Sequence, residues 1–246
     1  MSNFDEFQYV GEELELFRDV TIWKNYFARH IIPYIKGDTL EVGAGLGGTT
    51  PYIRPKNNIT AWTCLEPDFN MSETIKDKIK SGELPDDTKA LNCVVKELNA
   101  SNKFDSILYI DVLEHIEDDF SEIENAMKHL APGGKVVIVC PAHNWLYTPF
   151  DKAIGHYRRY NKISLRKSIP KGLIEEKLFY LDSIGLFASL ANRLLLKQSI
   201  PTKSQLQIWD KFLVPLSKIF DKCFFYLFGK QIVGVWRLSD EASSMK

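Results

Sequence analysis

The sequence predicts an α/β fold, a doubly wound and mostly parallel sheet with helices on both faces. Three observations predict it. Short apolar runs alternate with amphipathic stretches along the chain. The first run leads into a glycine-dense turn, LEVGAGLGGTT, over residues 40–50. A later run, FDSILYI, is apolar almost throughout, as a strand covered on both faces must be.

The elements follow in order. Residues 14–35 carry Leu14, Phe17, Ile22, Phe27 and Ile31 at helical spacing, and Pro33 and Gly37 mark the stop. Residues 39–42 read as the first buried strand and 59–65 as the second, ending at Glu66-Pro67. An exposed helix is expected over 72–80, and a third strand over 91–95. Residues 104–110 give the fourth strand. Residues 120–130 form an amphipathic helix that "APGG" ends as a glycine C-cap. Residues 135–140 (KVVIVC) are the fifth strand. Residues 141–163 form a long loop rich in His, Tyr, Trp and Arg; 173–181 and 231–238 are the last two strands. Between these lies an insertion whose Leu206, Trp209, Leu213, Leu216, Phe220, Cys223 and Leu227 alternate three and four apart. That spacing makes one apolar stripe. The 246 residues are thus expected to make a single domain. Its parts are a helical cap (1–37), a core (38–181), a helical insertion (182–230) and a last strand with tail (231–246).

Composition narrows the function. A net charge of -1 gives no support to a nucleic-acid partner. Cys64, Cys93, Cys140 and Cys223 show no CxxC or Cys/His spacing, so no metal is expected and a reducing compartment is. The start, MSNFDEFQYV, is too acidic and polar for a signal peptide, and no apolar run is long enough to span a bilayer. A soluble cytoplasmic protein is the expectation.

The glycine turn needs a backbone or a ligand reason. After a first strand, it lets the backbone approach a ligand closely, and the following helix offers free N–H groups to an anionic moiety. Glu41, Gly43, Gly45 and Gly47 occupy every second position; Gly43, Gly45 and Gly48 also fit the dinucleotide fingerprint. Glu66, closing the second strand, can accept ribose hydroxyls.

Four stretches taken together, LEVGAGLGG, LEPD, FDSILYIDVLEHIEDD and LAPGGKVVIV, resemble class I S-adenosylmethionine-dependent methyltransferases. The resemblance implies a seven-stranded sheet whose last strand is antiparallel, with S-adenosylmethionine as methyl donor. It implies that Glu41 holds the methionine amino end and that Gly43, Ala44, Gly45 and Gly47 wrap the methionine moiety. Glu66 would take the ribose, Pro67 and Asp68 would line the adenosine, and the backbone near Leu98 would meet the adenine. Asp111 and Val112 would sit under the methionine part. The stretch "KELN" lacks the acid common near Glu97 or Leu98 in that family.

The acceptor side falls to the loop PAHNWLYTPFDKAIGHYRRYNKISL. His156 is the first candidate base and His115 the second, with His143 a third. Each also has a plain structural reading. Arg158 and Arg159 suit a phosphate or carboxylate, or a salt bridge to Asp151. Trp145, Tyr147, Tyr157 and Tyr160 suit a wall for a sugar or aromatic ring, or simple burial of the loop. Trp23 and Tyr26 suit a cover over the donor, with core packing the leading role for Trp23. The GHYRRY loop and the C-terminal tail are similar to a bacterial methyltransferase group associated with glycan and lipid-linked saccharide biosynthesis. That similarity implies a small-molecule or glycan acceptor. The stripe of 206–227 then offers a peripheral membrane contact, packing on the sheet, or a dimer face. Lys197, Lys203, Lys211, Lys218 and Lys222 surround it, and Asp210 and Asp221 dilute their charge. Two other functions stay open: a nicotinamide-dependent oxidoreductase, and a non-catalytic donor-binding scaffold.

Overall fold

Side chains alternate between two cores along the central strands, and that alternation fixes the layers. In the computed structural model, residues 13–193 and 202–244 are described. Leu108, Val137 and Val235 face one core; Ile107, Tyr109, Ile138 and Trp236 face the other. The strands are β1 (Gly37–Val42), β2 (Ile59–Leu65), β3 (Thr88–Leu91), β4 (Phe104–Ile110), β5 (Leu130–Pro141), β6 (Leu173–Leu181) and β7 (Gln231–Leu238). They form one sheet in the order β3-β2-β1-β4-β5-β7-β6. The pairs among β1 to β5 are parallel, while β7 runs antiparallel to both β5 and β6. The chain therefore has the expected seven strands with the last reversed. The order switches between β1 and β4, and a crevice opens there at the carboxyl edge.

One core takes α2 (Ile22–Ile31) and α4 (Phe69–Lys80), with part of the insertion. The other takes α5 (Asp119–Lys128) and α7 (Lys162–Lys167). Among the described residues no helix is long and apolar enough to cross a membrane.

Several expected boundaries move, each for a physical reason. The helix expected over 14–35 splits into one turn, α1 (Glu13–Leu16), and α2. Asp210 causes a fresh start: its carboxylate accepts the N–H groups of Thr21, Ile22 and Trp23 at 3.1, 3.1 and 2.8 Å. α4 begins at Phe69 rather than 72 because the Asp68 side chain caps Met71 N. Its Ser72 and Ile75 are fully buried, so it is not an exposed helix. The third strand ends at Leu91, where its expected span began; Val95 is buried instead in a 3-10 turn, Val95–Glu97. α5 ends at Lys128, and "APGG" is a bulge inside β5, between the Phe104–Leu130 and Ser106–Lys135 pairings, not a C-cap.

The insertion contains α8 (Ser183–Ala191), α9 (Lys203–Ile208), a π turn (Trp209–Leu213) and α10 (Val214–Cys223). The predicted stripe packs only at its start. Leu206 is buried, but beyond the π turn the inward face is Val214, Ser217 and Asp221. Leu216, Phe220 and Leu227 are exposed. A π turn adds a residue to the helical repeat and so rotates the stripe off the core. The inward polar face is held by bonds from Asp221 to the N–H groups of Asp182 and Ser183, both 2.8 Å, and to Tyr26 Oη. Lys197 lies outside the described residues.

Candidate active site

The glycine turn after β1 folds around its three alternate glycines. Gly43, Gly45 and Gly47 have φ of 63°, 56° and 67°, where an L side chain is strained. A Cβ on Gly43 would stand 2.7 Å from Val112 Cγ2. Gly48 has neither a positive φ nor any atom within 4 Å of its would-be Cβ. The E-x-G-x-G-x-G spacing is therefore the one the backbone requires, rather than the dinucleotide spacing through Gly48.

Two buried acids support this loop. Glu66 Oε2 accepts Gly45 N–H at 2.7 Å and its Oε1 accepts Asp68 N–H at 3.0 Å. Burial raises the Glu66 carboxyl above the usual range, against those two bonds. Glu41 Oε2 accepts from Thr50 Oγ1 at 2.8 Å and Trp62 Nε1 at 2.9 Å. Burial pushes the Glu41 carboxyl up to about 7.

The turn forms one wall of a cleft of about 1550 Å³. Glu41, Gly43, Ala44, Gly45, Gly47, Asp111, His115 and His156 all line it. Glu66, Pro67, Asp68, Leu98 and Val112 lie outside that lining. Glu66 orients the loop from behind, Asp68 caps α4, and Val112 packs under Gly43. Leu98 packs against the second core.

The opposite wall joins the end of β4 to the loop after β5. Asp111 sits in the left-handed region at φ 53°, and Gln231 Nε2 donates to its Oδ1 at 3.0 Å. The 3-10 turn Leu113–His115 follows. Tyr157 N–H bonds Glu114 O at 2.8 Å and ties this turn to the loop. His156 is bonded through Nδ1 to Asp151 Oδ1 at 3.1 Å. Asp151 in turn accepts both Arg159 Nε (2.8 Å) and Nη2 (2.9 Å), and caps the helix α6 (Pro149–Ala153) through Thr148. Burial opposes ionisation of Asp151, but His156, Arg159 and Thr148 together hold its carboxyl below the usual range.

His156 Nε2 points to Glu114 Oε1, 3.9 Å away, and the His115 and His156 rings meet edge-on at 4.5 Å between centroids. Burial, then the charge of His156, pushes His115 down to about 3, so its imidazole is neutral near pH 7. Glu114 is wholly buried, and burial followed by the charge of Asp111 pushes its carboxyl well up. Asp111 is raised too, first by desolvation.

The remaining candidates divide cleanly. His143 Nε2 bonds Gly229 O at 3.0 Å and its ring stacks on Tyr180, so it is structural. Arg159 is the salt bridge to Asp151; Arg158 pairs with Asp119. Tyr160 is buried, with its hydroxyl on Asp119, and Tyr147 lines the cleft and bonds His156 O. Trp145 and Tyr157 are exposed away from the cleft. Trp23 packs in the core and also reaches the cleft wall, while Tyr26 is bonded to Asp221. Glu114 was not singled out in the sequence, and Asp151 only as a salt-bridge partner for Arg158 or Arg159; an acid directly beside a candidate histidine was the available signal for Glu114.

Residues 40–136 match the family model described as "Methyltransferase domain". This segment runs from β1 through the glycine turn and the Asp111–His115 turn into β5.

Over residues 40–136 the chain is thus similar to a methyltransferase domain.

Other likenesses agree. The chain is 30% identical over 105 residues to a ubiquinone biosynthesis O-methyltransferase of Rickettsia conorii, covering 42% of this chain and 34% of that protein. It thus spans about a third of the length of the curated relative it matches. Its fold is similar to a putative sarcosine dimethylglycine methyltransferase from Galdieria sulphuraria (TM-score 0.61, 15% identity, 95% of this chain and 92% of that one). It is also similar to the N-methyltransferase NodS from Bradyrhizobium japonicum, solved with S-adenosyl-L-homocysteine (TM-score 0.55, 14% identity, 96% and 93%). The match of residues 40–136 to that family model supports S-adenosylmethionine as the methyl donor.

Proposed function

We propose that this chain methylates a hydroxyl of a sugar or lipid-linked small molecule, drawing the methyl group from S-adenosylmethionine. Glu41 and the Gly43–Gly47 turn hold the methionine end, and Asp111 lies beneath it. The acceptor oxygen attacks the sulfonium carbon in line, and the methyl–sulfur bond breaks with its electrons staying on sulfur. The hydroxyl proton passes to His156 Nε2. One observation carries this reading: an imidazole, fixed through Nδ1 by Asp151, faces the same cleft as the glycine turn. The oxygen acceptor is also in keeping with the name of the Rickettsia relative. The test supplies methyl-labelled donor with saccharide and polyprenyl-linked saccharide hydroxyl acceptors and reads products by mass spectrometry. A stable methyl ether is expected. Label on nitrogen, or none while S-adenosyl-L-homocysteine still binds, overturns the oxygen reading.

A second element of the proposal is where the acceptor is met. At about 100° per residue, Phe212, Leu216, Ile219, Phe220 and Cys223 share one arc of the helix opposite its buried face. Phe212, Leu216 and Ile219 are 65%, 44% and 60% exposed, and Phe225 beyond is 80% exposed. Lys211, Lys218 and Lys222 flank this arc on one side. Asp210 and Asp221, which dilute the charge in the sequence, are 4% and 0% exposed and occupied inward. Only cations are left beside an apolar arc, the pattern of a helix lying in an anionic bilayer surface. Co-sedimentation with phosphatidylglycerol vesicles, but not phosphatidylcholine ones, is expected, with loss in Phe212→Glu/Ile219→Glu. Equal behaviour on both vesicles, or a concentration-dependent dimer that buries this arc, refutes it.

A further inference from the structure

Glu114 presents an anomaly that the methyl-transfer reading leaves unused. It is fully buried, and neither carboxylate oxygen has a hydrogen-bond partner among the described residues. A buried acid in this state is costly unless neutralised or paired. The nearest cation-capable group, His156 Nε2, is 3.9 Å away, too far for a hydrogen bond.

Two imidazoles share the position. One ligand-capable atom each from Glu114, His115 and His156 lies within 4.8 Å of the others. The surroundings orient both rings. Asp151 takes Nδ1 of His156 and leaves Nε2 turned to Glu114. His115 is tied to the backbone of Ile154. A carboxylate or carbonyl on the far nitrogen is the usual second layer around a metal-bound histidine, fixing tautomer and direction. Asp151 is itself anchored by Arg159 and Thr148, so this outer layer is rigid. Asp111, which faces the same cleft, adds negative charge to the position.

We infer that Glu114, His115 and His156 form a binding site for a divalent first-row transition-metal cation opening onto the methyl-transfer cleft. Two imidazoles and one carboxylate suit Mn²⁺, Fe²⁺, Co²⁺ or Zn²⁺ better than Mg²⁺ or Ca²⁺, which prefer all-oxygen sets. Three protein ligands leave coordination positions for oxygens of an acceptor, such as neighbouring hydroxyls. The expectation of no metal came from cysteine spacing; this group instead draws acids and histidines from two distant segments. The inference rests on the methyltransferase reading only for what the cation meets in the cleft. His156 Nε2 is then a ligand in the loaded protein and a base only in the cation-free one.

The test titrates chelator-treated full-length protein with MnCl₂, followed by water-proton relaxation and by calorimetry, and with CoCl₂, followed by visible absorption. S-adenosyl-L-homocysteine affinity is measured on every sample. One site per chain is expected, weakened at least about tenfold in Glu114→Gln, His115→Asn and His156→Asn, and in the outer-layer variant Asp151→Asn. Visible Co²⁺ bands of reduced intensity are expected to accompany that loss. Donor-product affinity stays within about threefold in the ligand variants, which separates loss of metal from loss of fold. Metal affinity that is equal in wild type and all four variants overturns the site. So does a wild-type protein that binds S-adenosyl-L-homocysteine but neither Mn²⁺ nor Co²⁺. Failure to bind S-adenosyl-L-homocysteine with the metal site intact strikes instead at the methyltransferase reading.

Discussion

Replacing Glu41 by Gln separates the stability of the cleft from its affinity for the donor. Glu41 is 3% exposed on β1, and burial lifts its carboxyl from an ordinary 4.5 to about 7. A carboxyl raised on folding stabilises the protein most below its unfolded value, and the contribution is lost as pH rises through the folded one. The window here runs from pH 4.5 to about 7. At about 1.36 kcal/mol per pH unit, the ionised side chain at pH 8 carries a ceiling of about 3 kcal/mol. The amide is close to isosteric, and its oxygen can still accept from Thr50 Oγ1 and Trp62 Nε1. Urea midpoints of the ligand-free proteins should therefore favour Glu41→Gln at pH 8 by up to about 3 kcal/mol, most of it gone by pH 5. The same change should weaken S-adenosyl-L-homocysteine by about 10–100-fold, since a charge-assisted bond to the ligand ammonium is worth about 1.5–3 kcal/mol. A stability difference that does not vary with pH refutes the buried-acid reasoning. Unchanged donor affinity refutes the amino-end assignment.

Two more predictions follow from local geometry. Gly43→Ala meets Val112 at 2.7 Å and a φ of 63°, so a loss of about 1–3 kcal/mol and of donor binding is expected. Gly48→Ala has open space and should change the melting temperature little; equal effects at the two positions would contradict the every-second-glycine spacing. Asp210→Ala leaves Thr21, Ile22 and Trp23 N–H without their acceptor, and a loss of about 2–4 kcal/mol in chemical denaturation is expected. A loss below about 0.5 kcal/mol would mean that α2 does not depend on this cap.

Long-range order was legible where local chemistry and tertiary packing agree. The runs 59–65, 104–110 and 231–238 became strands with those bounds because the two cores bury their faces, and 173–181, largely unburied at the sheet edge, did so through its antiparallel pairing with β7. The glycine turn was legible because its φ values admit little else. The break before α2 was not, since its cause is Asp210, far away in sequence. The rotated stripe was not, because a π turn leaves little trace in residue spacing. His156 and His115 were visible as types, and the structure adds their meeting with Glu114, which no spacing encodes. Glu66 was read as a ribose ligand; the fold adds that its two oxygens also accept the N–H groups of Gly45 and Asp68 and so shape the loop, which no spacing encodes.

Calorimetric titration of S-adenosyl-L-homocysteine into the full chain, beside Gly45→Arg, bears most directly on the glycine-walled cleft as the donor's seat. One site per chain is expected, abolished by the arginine while the circular-dichroism spectrum stays unchanged. A folded wild-type chain that takes up no S-adenosyl-L-homocysteine, or an arginine variant that binds it as well, would contradict that assignment.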